Sequence, residues 1–156
     1  MTPGEILSII KKIRKRFPAG WICVTGGEPM LQNLKPLVLS LKKEGLKIQV
    51  ETNALLFRPL RVDWFTVSPK PARYAHHPGF KRRAKEVKII VTKTLSFAAL
   101  KRLRKEFPAW IPLLLQPESN APWSEAKSLR LVNRALRIGL KNVRLSVQLH
   151  KIYKLR

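Results

Sequence analysis

Three observations predict an α/β fold, in the form of an open, partial (β/α) barrel of about six mostly parallel strands. Strand-like and helix-like segments alternate along the chain, the pattern of a parallel sheet covered by helices. Several of the strand-like segments ("WICVT", "IPLLLQ", "EVKIIV") are nearly continuous apolar runs, as expected when both faces of a strand are buried. About six strands are too few to close an eight-stranded barrel. A length of 156 residues suits a single domain, 1–156, with a core of its own.

The elements follow in order. Thr2 is a helix N-cap, Pro3 suits the first turn and Glu5 completes a capping box. Ile6, Leu7, Ile10 and Ile13 then form an apolar stripe at helical spacing. "FPAG" breaks the helix and "WICVT" reads as a buried strand. Residues 33–44 read as a helix, "KIQVE" as a strand and "VDWFTVS" as another. A Pro- and Arg-rich loop, 71–84, leads into the strand "EVKIIV" and a helix over 96–106. "IPLLLQ" is a strand, 122–138 a helix and "NVRLSVQ" a final strand. Right-handed crossovers are expected throughout.

Composition narrows the function classes. The 45% hydrophobic content argues against disorder, and no apolar run approaches the ~18 residues of a membrane span. "MTPGEILSII" has no basic n-region and no small-residue cleavage site, so a cytoplasmic protein without a membrane partner is expected. Cys23 is the single cysteine, which rules out an intramolecular disulfide and a Cys-rich metal site within one chain. The net charge of +23 comes from 32 Lys+Arg against 9 Asp+Glu and attracts polyanions without specificity. The basic residues are spread along the chain with few interleaved aromatics, so a solvated basic surface is the simpler reading.

The unusual polar residues lie at strand ends. Glu28 follows the first strand; Glu51, Thr52 and Asn53 end the second; Ser68, Pro69 and Lys70 end the third. Gln116 and Pro117 end the strand after "IPLLL", and Gln148 and His150 end the last. Carboxyl ends of parallel strands share one rim, where such sheets bind ligands. Two of nine acids on that rim suit a cationic group such as an ammonium; helix capping or pairing with Lys and Arg is the plainer alternative. Gly26 and Gly27 allow a ligand close to the backbone, but form neither a dinucleotide fingerprint nor a P-loop. The residues alone thus lead to a polar small-molecule site.

"TGGEP" at 25–29 is similar to the GGEP motif of radical S-adenosylmethionine (SAM) enzymes. With "TGGEPMLQ", "VETNA", "VSPK", "EVKIIV", "LQPES" and "RLSVQLHKIYKLR", the chain resembles the 7-carboxy-7-deazaguanine synthase family from Thr2 to Arg156. GGEP indicates only the superfamily, while "SPK" and "RLSVQLHK" are more specific. The resemblance implies a radical SAM core and a lyase that contracts 6-carboxy-5,6,7,8-tetrahydropterin to 7-carboxy-7-deazaguanine, on the route to queuosine. It implies that Gly26, Gly27 and Glu28 hold the methionine part of SAM, with Glu28 facing the ammonium. Ser68, Pro69, Lys70, Gln116, Pro117, Glu118 and Ser119 would line the same site. Thr25 and the C-terminal Arg156 would touch the pterin. Gln148 and His150 lie in a family motif without an assigned step, and Ala54 stands where the family has glycine.

The family also binds a [4Fe–4S] cluster through three cysteines, and Mg2+ through a threonine, on an N-terminal segment. This sequence starts after that segment, and Cys23 reads as a small core residue rather than a ligand. No residue here is therefore assigned a catalytic step or a metal, and the chain is expected to be inactive alone, as the C-terminal part of a radical SAM core. Truncation by a wrong start codon, frameshift or split gene, a non-catalytic SAM-binding remnant, and a basic nucleic-acid-binding protein all remain open. An unpaired "WICVT" edge would recruit a homodimer partner or an N-terminal fragment.

Overall fold

The computed structural model describes residues 1–71 and 73–153. Its six strands are β1 (Trp21–Val24), β2 (Lys47–Thr52), β3 (Trp64–Val67), β4 (Ala84–Val91), β5 (Leu113–Pro117) and β6 (Val143–Leu145). They form one all-parallel sheet in the order β1-β2-β3-β4-β5-β6. The order never reverses, so crossovers of one hand keep the covering layer on one face. This is the open, partial barrel that the sequence predicts.

The helices are α1 (Pro3–Arg16), α2 (Lys35–Lys43), α3 (Phe97–Glu106), α4 (Pro122–Arg137) and α5 (Leu149–Ile152). α1 starts on the predicted capping box: Glu5 N–H donates to Thr2 Oγ1 at 3.3 Å, and Thr2 N–H to Glu5 Oε2 at 2.7 Å. The core lies between the sheet and this layer. Ile48, Val50, Val67, Val87, Ile89, Val91, Leu113 and Leu115 meet Leu41, Leu100, Leu103 and Ala135 there, all fully enclosed. Among the described residues no α-helix directly follows β2 or β3, only a 3-10 turn at Pro78–Phe80; Leu60, Tyr74 and Phe80 are buried there.

Four expectations need correction. β4 and β5 are not buried on both faces but alternate, as β2 does, with Gln49, Glu51, Glu86 and Lys88 on the face away from the helices. Their polar residues recur at period two because that face is bare. "WICVT" is not a buried strand: Trp21 and Cys23 are exposed and Ile22 and Val24 half-buried. Among the described residues β1 pairs only with β2, and α1 in front of it buries no residue fully. Cys23 is accordingly exposed rather than a core residue. The last strand stops at Leu145, and Gln148 precedes α5 instead of ending a strand. The β5–β6 ladder runs through Leu113 N–H to Asn142 O and Ser146 N–H to Leu115 O, both at 2.9 Å. Its next donor would be Pro117, which has no N–H, so pairing ends there.

Candidate functional site

The all-parallel sheet brings the ends of β1, β2, β3, β5 and β6 to one rim. After β1 the chain turns through Gly26 (φ +89°) and Gly27 (φ +50°), left-handed conformations that glycine adopts without strain. A Cβ built on either glycine meets no atom within 4 Å, so open space faces this loop.

Glu28 fastens the loop. Its Oε1 accepts from Met30 N–H at 3.0 Å and from the Thr52 hydroxyl at 2.6 Å, and its Oε2 accepts from Asn53 N–H at 2.7 Å. Glu28 thus caps the short 3-10 turn at Pro29–Leu31 and locks the end of β1 to the end of β2. An ionised carboxylate offers about four acceptor positions, so about one stays open. Ser68 is buried, and its N–H donates to Thr52 O at 2.8 Å, which joins the end of β3 to the same corner. Pro69 is buried and Lys70 exposed beside it. Thr25 is exposed at the start of the loop.

A second corner forms at β5 and β6. Ser124 Oγ accepts from Glu118 N–H at 2.8 Å and donates to Val91 O at 2.6 Å, tying the β4 and β5 ends to α4. Ser119 and Asn120 have positive φ (51° and 53°), which turns the chain sharply after Pro117. Asn120 Nδ2 donates to Gln148 O at 3.3 Å. Asn120 Oδ1 and Gln148 Oε1 are buried without a partner among the described residues. Buried acceptors of this kind ordinarily have a hydrogen-bond donor, so both can accept from a bound group. A cavity of about 400 Å³ opens here between Glu51, Lys88, Gln116 and Ser146–Leu149.

The bare sheet face between the corners is polar and internally paired. Lys88 Nζ meets Glu51 Oε2 at 2.7 Å; Gln49 Nε2 donates to Thr66 Oγ1 at 2.9 Å, and that hydroxyl donates to Glu86 Oε1 at 2.7 Å. Sequence reasoning placed Glu51 on the rim but missed Gln49, Thr66, Glu86 and Lys88. The alternation in "KIQVET" and "EVKII" is the signal that could have found them. Although Cys23 is exposed as a residue, the surrounding sheet partly desolvates its thiol and raises the pKa, with Glu51 adding to the rise and Lys88 opposing it. Arg156 lies outside the described residues.

No protein-family model matches the chain. Among curated proteins it is similar to the 7-carboxy-7-deazaguanine synthase of Aquifex aeolicus, 33% identical over 97% of this chain and 72% of the relative. The Buchnera aphidicola (Schizaphis graminum) enzyme of that name is 34% identical over 100% and 68%. The Synechocystis enzyme is 30% identical over 84% and 60%. The chain thus spans 60 to 72% of the length of these relatives. The crystal structure of QueE from Escherichia coli superposes with a TM-score of 0.71 at 28% identity, covering 95% of this chain and 64% of that one.

Proposed function

We propose, from the premise that the chain belongs to the 7-carboxy-7-deazaguanine synthase family, that it supplies the SAM-binding part of such an enzyme. The observation that carries this reading is the open glycine loop at 26–27, braced by Glu28 against β2 on the rim shared by Ser68 and Gln116. The two unpartnered acceptors at Asn120 and Gln148 support a ligand at the other end of the same rim.

In this reading Gly26 and Gly27 let the methionine part of SAM lie against the backbone, and the remaining acceptor position of Glu28 receives its ammonium. Ser68, Pro69 and Lys70, with Gln116, Pro117, Glu118 and Ser119, surround the nucleoside. The polar sheet face, with Thr25 at its margin and Arg156 from the C-terminus, takes the carboxytetrahydropterin. Bound SAM supplies the radical precursor for the family's ring contraction.

The residues of this chain do not fit the cluster. A [4Fe–4S] centre that binds SAM needs three thiolates, and the chain has one cysteine, Cys23, whose raised pKa disfavours the thiolate. The family's ring contraction therefore requires thiolates from a polypeptide segment beyond these residues. In a cell, this reading places the protein in 7-deazaguanine and queuosine synthesis in the cytoplasm.

Calorimetric titration with SAM tests the reading. Saturable binding is expected, with at least about a tenfold loss in Gly27→Val, whose side chain fills the open space and whose φ opposes a β-branched residue. Absence of binding, or binding that Gly27→Val leaves intact while its melting temperature is unchanged, overturns it. Anaerobic iron–sulfide treatment of this chain alone should give no stoichiometric cluster absorbance; a full cluster spectrum would refute the assignment of Cys23.

A further inference from the structure

We propose that the groove between α3 and α4, on the helix-covered side of the sheet, binds a single nucleic-acid strand. This inference is independent of the SAM reading. The groove has a volume of about 510 Å³ and is lined by Leu95, Phe97, Lys127, Arg130, Leu131 and Arg134. Three of its six lining residues are cations and none is an acid.

The charge is ordered along one flank. Trp123, Lys127, Arg130, Arg134 and Arg137 succeed one another at spacings of four, three, four and three residues on α4. Residues three and four apart stack on one side of a helix, so these five make a continuous stripe about 21 Å long. Glu125, the single acid of α4, falls between Trp123 and Lys127 in sequence and therefore on a different flank. Glu106, the single acid of α3, is occupied by Arg102 and His76. The cations of the groove are left without local counter-charge from either helix.

Flat surfaces lie in the groove at Phe97 and beyond its end at Trp123. The Arg134 guanidinium lies 4.3 Å from the Phe97 ring centroid, and Lys93 Nζ lies 5.7 Å from that of the half-exposed Trp123. Rings and guanidinium planes alternating with cations are what single strands use, bases on the planes and phosphates on the charges. An acidic peptide would satisfy the cations but leave the rings unused. Lys127 is held in place by its bonds to Thr92 O at 3.0 Å and Lys93 O at 2.7 Å, so one charge is already positioned. Another basic segment, α1, presents Lys12 and Lys15 on an exposed face, with one cation–ring pair, Arg16 on Phe17, at its C-terminal end rather than a ring at each end of a cationic stripe.

The test is fluorescence anisotropy of the whole chain with labelled oligouridylate at several salt concentrations. Three to four phosphate contacts predict a log–log salt slope of roughly −2 to −3. Arg130→Glu with Arg134→Glu should weaken binding at least about tenfold and lower the slope by one to two. Lys12→Glu with Lys15→Glu changes the net charge equally and should cost less than about threefold. Trp123→Ala should cost about tenfold if bases stack there. Because Arg134 packs on Phe97, Arg130→Gln with Arg137→Gln serves as a second pair, and thermal melts confirm folding. Equal losses in the α1 and α4 variants would show diffuse attraction and overturn the proposal. So would competition by polyglutamate as strong as that by oligouridylate at equal charge, or the absence of binding.

Discussion

β1 and β4 stand at opposite extremes of support within one sheet. β1 has a neighbour on one side and buries none of its four residues fully, and α1 before it buries none either. β4 pairs on both sides and encloses Ala84, Val87, Ile89 and Val91. Yet the glycine loop, open on its outer side, hangs from the weak strand. It is fastened by one carboxylate, Glu28, which takes the end of β2 as an anchor. A polar side chain can thus brace a loop where packing does not, and about one acceptor position of the same carboxylate stays open.

The sharpest break between the two regions should appear in the core. Ile89→Ala opens a cavity under β4 and should cost about 2–5 kcal/mol by chemical denaturation. Ile13→Ala, on the exposed face of α1, should cost below about 0.5 kcal/mol. Comparable losses would mean that α1 is covered in solution. Glu28→Gln comes next. It leaves one acceptor oxygen for three donors and should cost about 1.5–3 kcal/mol, with faster amide exchange at Asn53. Unchanged exchange there would show that the corner is held by something other than the carboxylate.

The smallest effect concerns acid. Asp63, just before β3, accepts from the Lys42 ammonium and from Ile48 N–H, and both bonds hold its carboxyl below the ordinary carboxylate range. A depressed pKa contributes stability above the unfolded carboxylate range, lost as pH falls through the folded value. Asp63→Asn should therefore reduce stability near neutrality slightly and flatten the acid side of the pH profile. An acid limb as steep as that of the parent would exclude Asp63 as a contributor.

Much of the frame was legible. Thr2, Pro3 and Glu5 announced α1 because capping is local chemistry, readable over four residues. Alternating segments announced the parallel sheet, and with it the common rim of Glu28, Ser68 and Gln116. Burial was less legible. "WICVT" and Cys23 looked interior because apolar content does not reveal whether a neighbour is present. The β6 end was missed because its limit is set across the ladder by Pro117, a residue of another strand. Ala54, at the end of "VETNA", sits at φ +65° and is fully buried, a left-handed conformation costing an L-residue about 1 kcal/mol.

By itself the sequence determined the element order, the caps, the glycine turn and the charge, because each depends on residues close together in the chain. Tertiary structure alone decided which strand became an edge and which sheet face stayed bare. It also set what Glu28 holds and which cations line up beside Phe97 and Trp123. Those outcomes depend on contacts between segments far apart in sequence, where burial and pairing are properties of neighbours rather than of the residue.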